Sequence, residues 1–545
     1  MKTTSSAKTN RVLFGVIALT FSNVLVKVIG LVLKIPLHNM LGGEGMSYYE
    51  VAYEIYVWLY TISTAGLPVA VSMMIAENRA KGNFKEAKKI LRVVVVLFVI
   101  IGLAGMAIMM FGSKLFAKAY KIDNAYMSII AIAPTLFFVC ISSALRGYFQ
   151  GYQNMYPTAI SEVIEAVGKL TVGVLLANYA IQHGYPSYQI AAYAVLGLTI
   201  GVAAGMFFLV ISKMLFKERS YDGNILEQEL PVHSNSEIAK KLIIIAIPIM
   251  LSSSVMSLTN VFDGMIISRQ LQSIGYTPES SRELFGNYKT LAVSMFNLPP
   301  ALIYPVSYSI TPLLSGAIVS ATKERINGIM NGSLRIAALI SIPCALGMSV
   351  LSEPILELFF NKAASEMVAP LLSVLSISVF FVGMISITNS ILQAHHLERK
   401  PIISILAGSV IKLISSTVLI GIPSVGMFGA PIGSGLCYMT IMLMNFFFIA
   451  KHIGFFPDLK NVLLKPFVAS VFCAGAAIGS YKLFIMLLGA RRIIVIPAIL
   501  VAAIVYVIVI FLIKAITKED IMLLPKGKKI YSILLKLHLM KCEEG

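Results

Sequence analysis

Long apolar runs repeat along almost the whole chain, and they constrain its fold more than any other feature of the sequence. Each run reaches the roughly 20 residues that an α-helix needs to cross about 30 Å of hydrocarbon. Fourteen such runs lie between residues 12 and 513. Because they lack the alternating pattern of a membrane β-barrel, the sequence predicts an all-α polytopic membrane protein with about fourteen transmembrane helices.

The composition excludes several broad classes of protein. Hydrophobic residues make up 57% of the 545 residues and charged residues only 13%, whereas a soluble domain has about 25% charged residues. We therefore exclude a soluble enzyme, a disordered chain and a protein that binds nucleic acid. The five cysteines are scattered without paired or metal-ligand spacing, so we expect neither a disulfide framework nor a zinc site.

The distribution of basic residues predicts the orientation in the membrane. The formal net charge is +18. With fourteen crossings both termini lie on one side, and that side holds 30 of the 44 Lys and Arg residues, against 10 on the other side. Basic residues are enriched in cytoplasmic loops, so we expect both termini in the cytoplasm. The basic end of the chain, 519–545, is either an interfacial helix on the inner leaflet or a solvated tail.

An internal repeat divides the chain into two halves. Gly66–Pro68 in the second run corresponds to Asn297–Pro299 in the eighth, and Gly168–Leu170 in the fifth corresponds to Ile411–Leu413 in the eleventh. Two similar helical lobes with a substrate path between them are typical of secondary transporters. We therefore predict an N-lobe of six helices, a cytoplasmic linker, a C-lobe of six helices, two further helices and a basic cytoplasmic tail, at 1–220, 221–240, 241–455, 456–518 and 519–545.

Several ionisable residues lie inside the apolar runs, where an ionised side chain at the bilayer centre costs about 2.5–3.5 kcal/mol. Many of them follow one another at intervals of three, four or seven residues and so share helix faces. We expect these faces to point at each other or at a hydrated cavity that holds the substrate. The candidate substrate-binding residues are Lys27, Lys34, Glu50, Glu54, Arg146, Glu162, Glu165, Lys169 and Lys412, and the candidates for ion coupling are Asn260 and Asp263.

Plainer interpretations of these residues stay open. Salt bridges that only orient helices are the alternative for the lysines and glutamates. In place of a role in binding, Glu50 would reach the membrane interface, Arg146 would anchor a cytoplasmic helix end, and Asp263 would cap a helix. No phosphate-binding GxxxxGK[ST] loop, HExxH motif or GxSxG motif occurs in the sequence, so we expect neither an enzyme nor a bound cofactor or metal.

Three segments carry a resemblance to a known family. Ala144–Pro157, Ser161–Glu165 and Gly66–Ser72 resemble the stage V sporulation protein B-like group of polysaccharide-biosynthesis transporters. This group lies near the MurJ-type lipid II flippases in the multidrug/oligosaccharidyl-lipid/polysaccharide exporter superfamily. The resemblance implies a monomeric two-lobed transporter in a bacterial plasma membrane. It would flip an undecaprenyl-pyrophosphate-linked saccharide, such as lipid II or a related wall precursor, to the outer leaflet by alternating access.

The resemblance also implies roles for single residues. Lys27, and Lys34 with an offset of one residue, match basic positions that contact substrate in MurJ-type relatives. Asp263 matches an aspartate that holds sodium in some of them. The chain departs from these relatives at Tyr60-Thr61, where they carry an arginine pair, and at Leu397, where they carry a second aspartate that binds sodium.

A physical argument supports export independently of the resemblance. A pyrophosphate–sugar head cannot cross hydrocarbon unaided. One charge that crosses 100 mV changes the free energy by about 2.3 kcal/mol, so a head with two negative charges gains about 4.6 kcal/mol on outward movement. The membrane potential, Na⁺ or H⁺ would drive such a step. The alternatives are a cation- or proton-coupled multidrug exporter of the same superfamily, a non-transporting scaffold and a membrane-embedded glycosyltransferase.

Overall fold

The computed structural model describes residues 2–216, 233–489 and 492–517, together with positions 520 and 532. Within these residues every regular element is a helix, and no strand is present. This confirms the predicted all-α class. The helices fall into two compact units, Met1–Gln272 with Tyr276–Asn287, and Ser273–Gly275 with Tyr288–Gly545.

Eight helices of the first unit lie within the described residues. They are α1 (Lys2–Thr64), α2 (Leu67–Ala80), α3 (Phe84–Ala119), α4 (Tyr126–Gly151), α5 (Tyr156–Gln182), α6 (Ser187–Leu215), α7 (Asn235–Ser273) and α8 (Pro278–Asn287). A short 3₁₀ turn, Asp123–Ala125, leads into α4.

The second unit begins with a π-helical turn, Tyr288–Ala292, and a second such turn, Lys460–Leu464, precedes its last two long helices. Its α-helices are α9 (Val293–Phe296), α10 (Leu298–Ser320), α11 (Lys323–Val350), α12 (Ser352–Phe359), α13 (Lys362–Ser376), α14 (Ser378–Ala394), α15 (Arg399–Ile420), α16 (Gly429–Ile453), α17 (Lys465–Leu488) and α18 (Val495–Leu512). The 3₁₀ turns Gly426–Phe428 and Arg492–Ile494 precede α16 and α18.

Helix α7 belongs to the first unit, whereas the repeat predicts that it opens the second half of the chain. It packs closely there, because a Cβ at Gly66 would lie 2.5 Å from the carbonyl oxygen of Ala246 in α7. The predicted lobes rest on a sequence repeat that this packing does not test, so they stay a prediction. Most of the predicted linker and, apart from positions 520 and 532, the predicted tail lie outside the described residues.

Helix α1 folds back on itself at Gly42. The backbone of Gly42 has φ 64° and ψ −179°, a left-handed conformation that favours glycine. In an unbroken helix Lys34 and Glu50 would stand about 24 Å apart along the axis, yet Lys34 Nζ lies 2.7 Å from Glu50 Oε1. The element therefore has two arms, which we name α1a (2–41) and α1b (43–64).

The reversal in α1 and two further helices account for the span count. Eleven stretches of the described chain are long and apolar enough to cross a membrane, and one of them, Phe21–Ala80, has 60 residues and contains Gly42. Helices α5 and α7, with 27 and 39 residues, also exceed the minimum length but are not among the eleven. With a second passage from α1 and one each from α5 and α7, the described helices reach the predicted number of about fourteen.

Glycines bring α5 and α6 unusually close together. A Cβ at Gly197 would lie 2.2 Å from the Cα of Gly173, and a Cβ at Gly168 would lie 2.8 Å from the Cα of Gly201. Small residues at such crossings let membrane helices pack backbone to backbone. Helix α5 carries three of the predicted site residues, so this packing fixes their positions in the first unit.

Helix α8 packs against the reversal of α1. A Cβ at Gly286 would lie 1.9 Å from the carbonyl oxygen of Gly43 and 2.7 Å from the amide nitrogen of Ser47. On the other side of the reversal, His38 Nε2 forms a 2.8 Å hydrogen bond with Asn287 Oδ1. The end of α8 therefore holds both arms of α1 next to Gly42.

We expect Gly286→Ala to destabilise the protein by about 3 kcal/mol, because the new methyl group overlaps backbone that cannot move aside easily. Gly316→Ala is the matched control, since nothing lies within 4 Å of a Cβ there. It should raise the free energy of unfolding by at most about 1 kcal/mol, because alanine stabilises a helix interior relative to glycine. Apparent melting temperatures in detergent measure both. A Gly286→Ala protein that melts at the wild-type temperature would contradict the packing described for α8.

Candidate functional site

A first charged group joins α1a, α1b and α5, and we name it the lysine cluster (Lys34, Glu50, Tyr53 and Lys169). Lys34 and Glu50 form an ion pair of 2.7 Å, and their side chains are only 19% and 5% exposed. Lys169 Nζ stands 4.8 Å from the centre of the Tyr53 ring, in the range of a cation–π interaction. Lys169 also interacts electrostatically with Lys34 and Glu50. One ammonium group therefore pairs with the Glu50 carboxylate, and a second is within its electrostatic reach.

A second charged group joins α1a, α4 and α5, and we name it the arginine cluster (Ser22, Arg146, Ser161, Glu162 and Glu165). Arg146 is 9% exposed and forms an ion pair of 2.5 Å with Glu165. Its Nε donates to Ser161 Oγ at 3.2 Å. Ser22 donates to Glu162 Oε2 at 3.3 Å. Arg146 is therefore a buried side chain with a carboxylate and a hydroxyl as partners.

The segment that carries the family resemblance positions Arg146. A Cβ at Gly147 would lie 2.8 Å from the carbonyl oxygen of Pro68, and a Cβ at Gly151 would lie 2.8 Å from Ile75 Cβ. These two glycines therefore let α4 lie directly against α2. With that face of α4 held by α2, Arg146 points to α5, where it meets Glu165.

Four tyrosines of α1b connect the two clusters, and we name them the tyrosine ladder (Tyr49, Tyr53, Tyr56 and Tyr60). Successive ring centroids lie 6.1, 6.1 and 5.7 Å apart. The ladder meets the lysine cluster at Tyr53, and Tyr56 and Tyr60 interact electrostatically with the Arg146–Glu165 pair. Only Tyr60 was singled out from the sequence, as a departure from the relatives, although the spacing of four, three and four residues places all four tyrosines on one helix face.

Glu54 belongs to a third polar group, between α1b, α3 and α7. Tyr120 donates its hydroxyl to Glu54 Oε2 at 2.9 Å, and Asp263, which is 2% exposed, interacts electrostatically with Tyr120. A Cβ at Gly264 would lie 2.5 Å from Glu54 Oε2, so α7 approaches closely here. Asn260 lies one turn earlier on α7 and is exposed.

Burial and element placement describe the remaining candidates. Lys27 is exposed on α1a. Lys412 is buried on α15 and belongs to the second unit. Lys289, which the sequence analysis did not single out, is buried in the π-helical turn at the start of that unit. The first unit therefore holds all of the predicted substrate-binding residues except Lys412.

One group of carboxylates in the described part of the second unit has the spacing of a metal site. Ligand atoms of Glu353, Glu357 and Glu366 lie within 4.8 Å of one another. Two of the three side chains are exposed, and Glu366 also pairs with Lys362 at 3.5 Å. Exposed acidic groups of this kind are common in proteins without a bound ion, so the group is no evidence for a metal.

Comparison with solved structures defines the class of the fold. The lipid II flippase MurJ in its inward closed conformation superposes with a TM-score of 0.68 at 16% sequence identity, covering 90% of this chain and 98% of that chain. The inward-facing conformation of a multidrug resistance MATE family transporter of the MOP superfamily gives a TM-score of 0.63 at 14% identity, covering 79% and 94%. The protein is a multi-pass membrane protein with the fold of these transporters.

The sequence comparison gives the family. The sequence profile of the family described as polysaccharide biosynthesis protein matches residues 12–318, and the chain belongs to this family. Stage V sporulation protein B of Bacillus subtilis (strain 168) is 22% identical over 512 residues, which are 94% of this chain and 97% of the relative. The lipid II flippase MurJ of the same strain is 24% identical over 464 residues, or 82% and 84%. The resemblance stated from the sequence is confirmed.

We expect Arg146→Leu to destabilise the protein by about 3–5 kcal/mol, because it leaves the carboxylate of Glu165 buried without this partner. The double variant Arg146→Leu/Glu165→Leu should regain part of that loss. Lys362→Ala is the control, since it removes an ion pair whose side chains are 71% and 53% exposed, and such a pair is worth at most about 1 kcal/mol. Melting temperatures in detergent measure all three. A double variant less stable than the single one would contradict this interpretation.

Proposed function

We propose that the protein is a secondary transporter that flips an undecaprenyl-pyrophosphate-linked saccharide from the inner to the outer leaflet by alternating access. The lysine cluster is the observation that carries the proposal, since inside membrane-spanning helices it pairs Lys34 with Glu50 and brings Lys169 into electrostatic reach of both. Family membership and the similarity to a lipid II flippase along most of both chains support it. The transporter fold favours a transporter over an enzyme or a scaffold.

The charges of the lysine cluster suit a pyrophosphate. Lys34, Glu50 and Lys169 together carry one net positive charge, and a pyrophosphate group that displaces Glu50 would face two ammonium groups. A lysine ammonium is a compact point charge with three donors on a flexible stem, so it can exchange one anion for another. Lys27 lies on the same face of α1a about 10 Å from Lys34, where its exposed ammonium group would be an earlier contact for the head.

The same arrangement accounts for the energetics of export. Polar groups that enter hydrocarbon without partners cost several kcal/mol each, and the cluster supplies partners. In a bacterial plasma membrane with a negative interior, the potential drives an anionic head outward by about 2.3 kcal/mol per charge per 100 mV. We place both termini in the cytoplasm and treat the monomer as the functional unit. Asp263, with Asn260 on the same helix, is the place where Na⁺ or H⁺ would couple to movement of α7.

We expect Lys34→Ala and Lys169→Ala each to lower the rate of flipping at least tenfold, because each removes one of the two charges that replace water around the pyrophosphate. The measurement is the appearance of undecaprenyl-pyrophosphate saccharide in the outer leaflet of liposomes that contain the purified protein. Lys362→Ala is the control, since it removes an exposed ammonium group in the second unit. Wild-type rates in both cluster variants would contradict the proposal.

A cation- or proton-coupled multidrug exporter is the second candidate. The arginine cluster favours it, because the two carboxylates of Glu162 and Glu165 lie near a single guanidinium group. Efflux of ethidium from the same liposomes separates the two functions. Ethidium efflux that needs Glu165, together with no movement of the lipid-linked saccharide, would favour the exporter.

A further inference from the structure

The tyrosine ladder has two buried rings and two partly exposed ones. Tyr49 and Tyr56 are 2% and 6% exposed, whereas Tyr53 and Tyr60 are partly exposed. Tyr53 and Tyr60 are seven residues apart, so they point the same way from α1b at positions about 10 Å apart along its axis. The helix therefore presents two phenol rings in a row, with two further rings packed beside them.

Tyrosine at all four positions indicates that the ladder makes polar contacts as well as apolar ones. A ladder that only packs against hydrocarbon or against other helices would be satisfied by phenylalanine or leucine, because each buried hydroxyl must find a hydrogen-bond partner. Tyrosine combines a flat apolar face with a polar tip. A saccharide has the matching surface, since its rings carry apolar C–H faces surrounded by hydroxyl groups.

The position of the ladder relates this surface to the lysine cluster. Tyr53 lies beneath Lys169, and the ladder continues from there to Tyr60, which interacts electrostatically with Arg146 and Glu165. In the proposed substrate the first sugar is bonded directly to the pyrophosphate. A pyrophosphate held by Lys34 and Lys169 therefore has its saccharide next to Tyr53, with the rest of the ladder as the surface along which it extends.

We propose that the tyrosine ladder binds the saccharide of the lipid-linked substrate, with Tyr53 and Tyr60 as its contact residues. The inference rests on the proposed function, because the lysine cluster must hold the pyrophosphate for the ladder to meet the sugar. It assigns the two chemical parts of the substrate to two different sets of residues. The lysines recognise the charged linkage, which all substrates of this kind share, and the tyrosines recognise the saccharide.

Two lipids test this division of roles. Undecaprenyl pyrophosphate carries the linkage alone, and lipid II carries the linkage and a saccharide. Native mass spectrometry of the full-length protein in detergent measures the binding of both lipids.

We expect Tyr60→Leu to weaken the binding of lipid II about tenfold, which corresponds to about 1.4 kcal/mol, and to leave the binding of undecaprenyl pyrophosphate unchanged. Tyr193→Leu is the matched control, because Tyr193 stacks on Tyr185 at 5.6 Å in an aromatic group at the α5–α6 turn. It should change neither affinity. If Tyr60→Leu does not fold, Tyr60→Phe replaces it, and the same selective loss for lipid II is expected.

An equal effect on the two lipids, or no effect on either, would overturn the role of the ladder. Lys34→Ala distinguishes that failure from a failure of the proposed function, because it removes a contact to the linkage and should weaken both lipids alike. If Lys34→Ala leaves both affinities unchanged, the lysine cluster does not hold the pyrophosphate and the proposed function is what fails.

Discussion

A charged side chain inside a membrane needs an opposite charge or water, and this requirement shapes the start of the chain. Lys34 and Glu50 satisfy it for each other only because α1 reverses at Gly42. The reversal in turn needs α8, whose Gly286 contacts the backbone of Gly43. The same ion pair brings Glu50 next to Lys169 of α5. This ion pair therefore links the two arms of α1 to each other and to α5.

The two ion pairs of the first unit suit different roles, one as a site where anions exchange and the other as a fixed contact between helices. Glu50 balances the ammonium group of Lys34, and in the function that we propose an incoming pyrophosphate replaces Glu50 there. Arg146 pairs with Glu165 and also donates to Ser161, and this two-partner arrangement suits a fixed structural contact. The tyrosine ladder lies between them. A transporter needs both kinds of contact, since the substrate must displace some groups while the helices that carry them keep their places.

The sequence predicts the helical class and the family well, because apolar run length and the segment around Arg146 carry that information locally. It also identifies the charged residues that require partners. It cannot assign the partners, since Glu50 and Glu54 share a helix face yet meet Lys34 and Tyr120 on different neighbouring helices. The grouping of α7 with the first unit likewise depends on tertiary packing at Gly66. The ladder was overlooked because tyrosines count as apolar in a search for membrane spans, although their spacing was visible.

The central claim is that Glu50 and the pyrophosphate of the substrate compete for the ammonium group of Lys34. The most direct measurement is the affinity of the Glu50→Gln protein for undecaprenyl pyrophosphate. Glutamine keeps the size of the side chain and a hydrogen-bond acceptor but removes the competing charge. The claim predicts binding about tenfold tighter than in the wild type, equivalent to about 1.4 kcal/mol. Unchanged or weaker binding would contradict it.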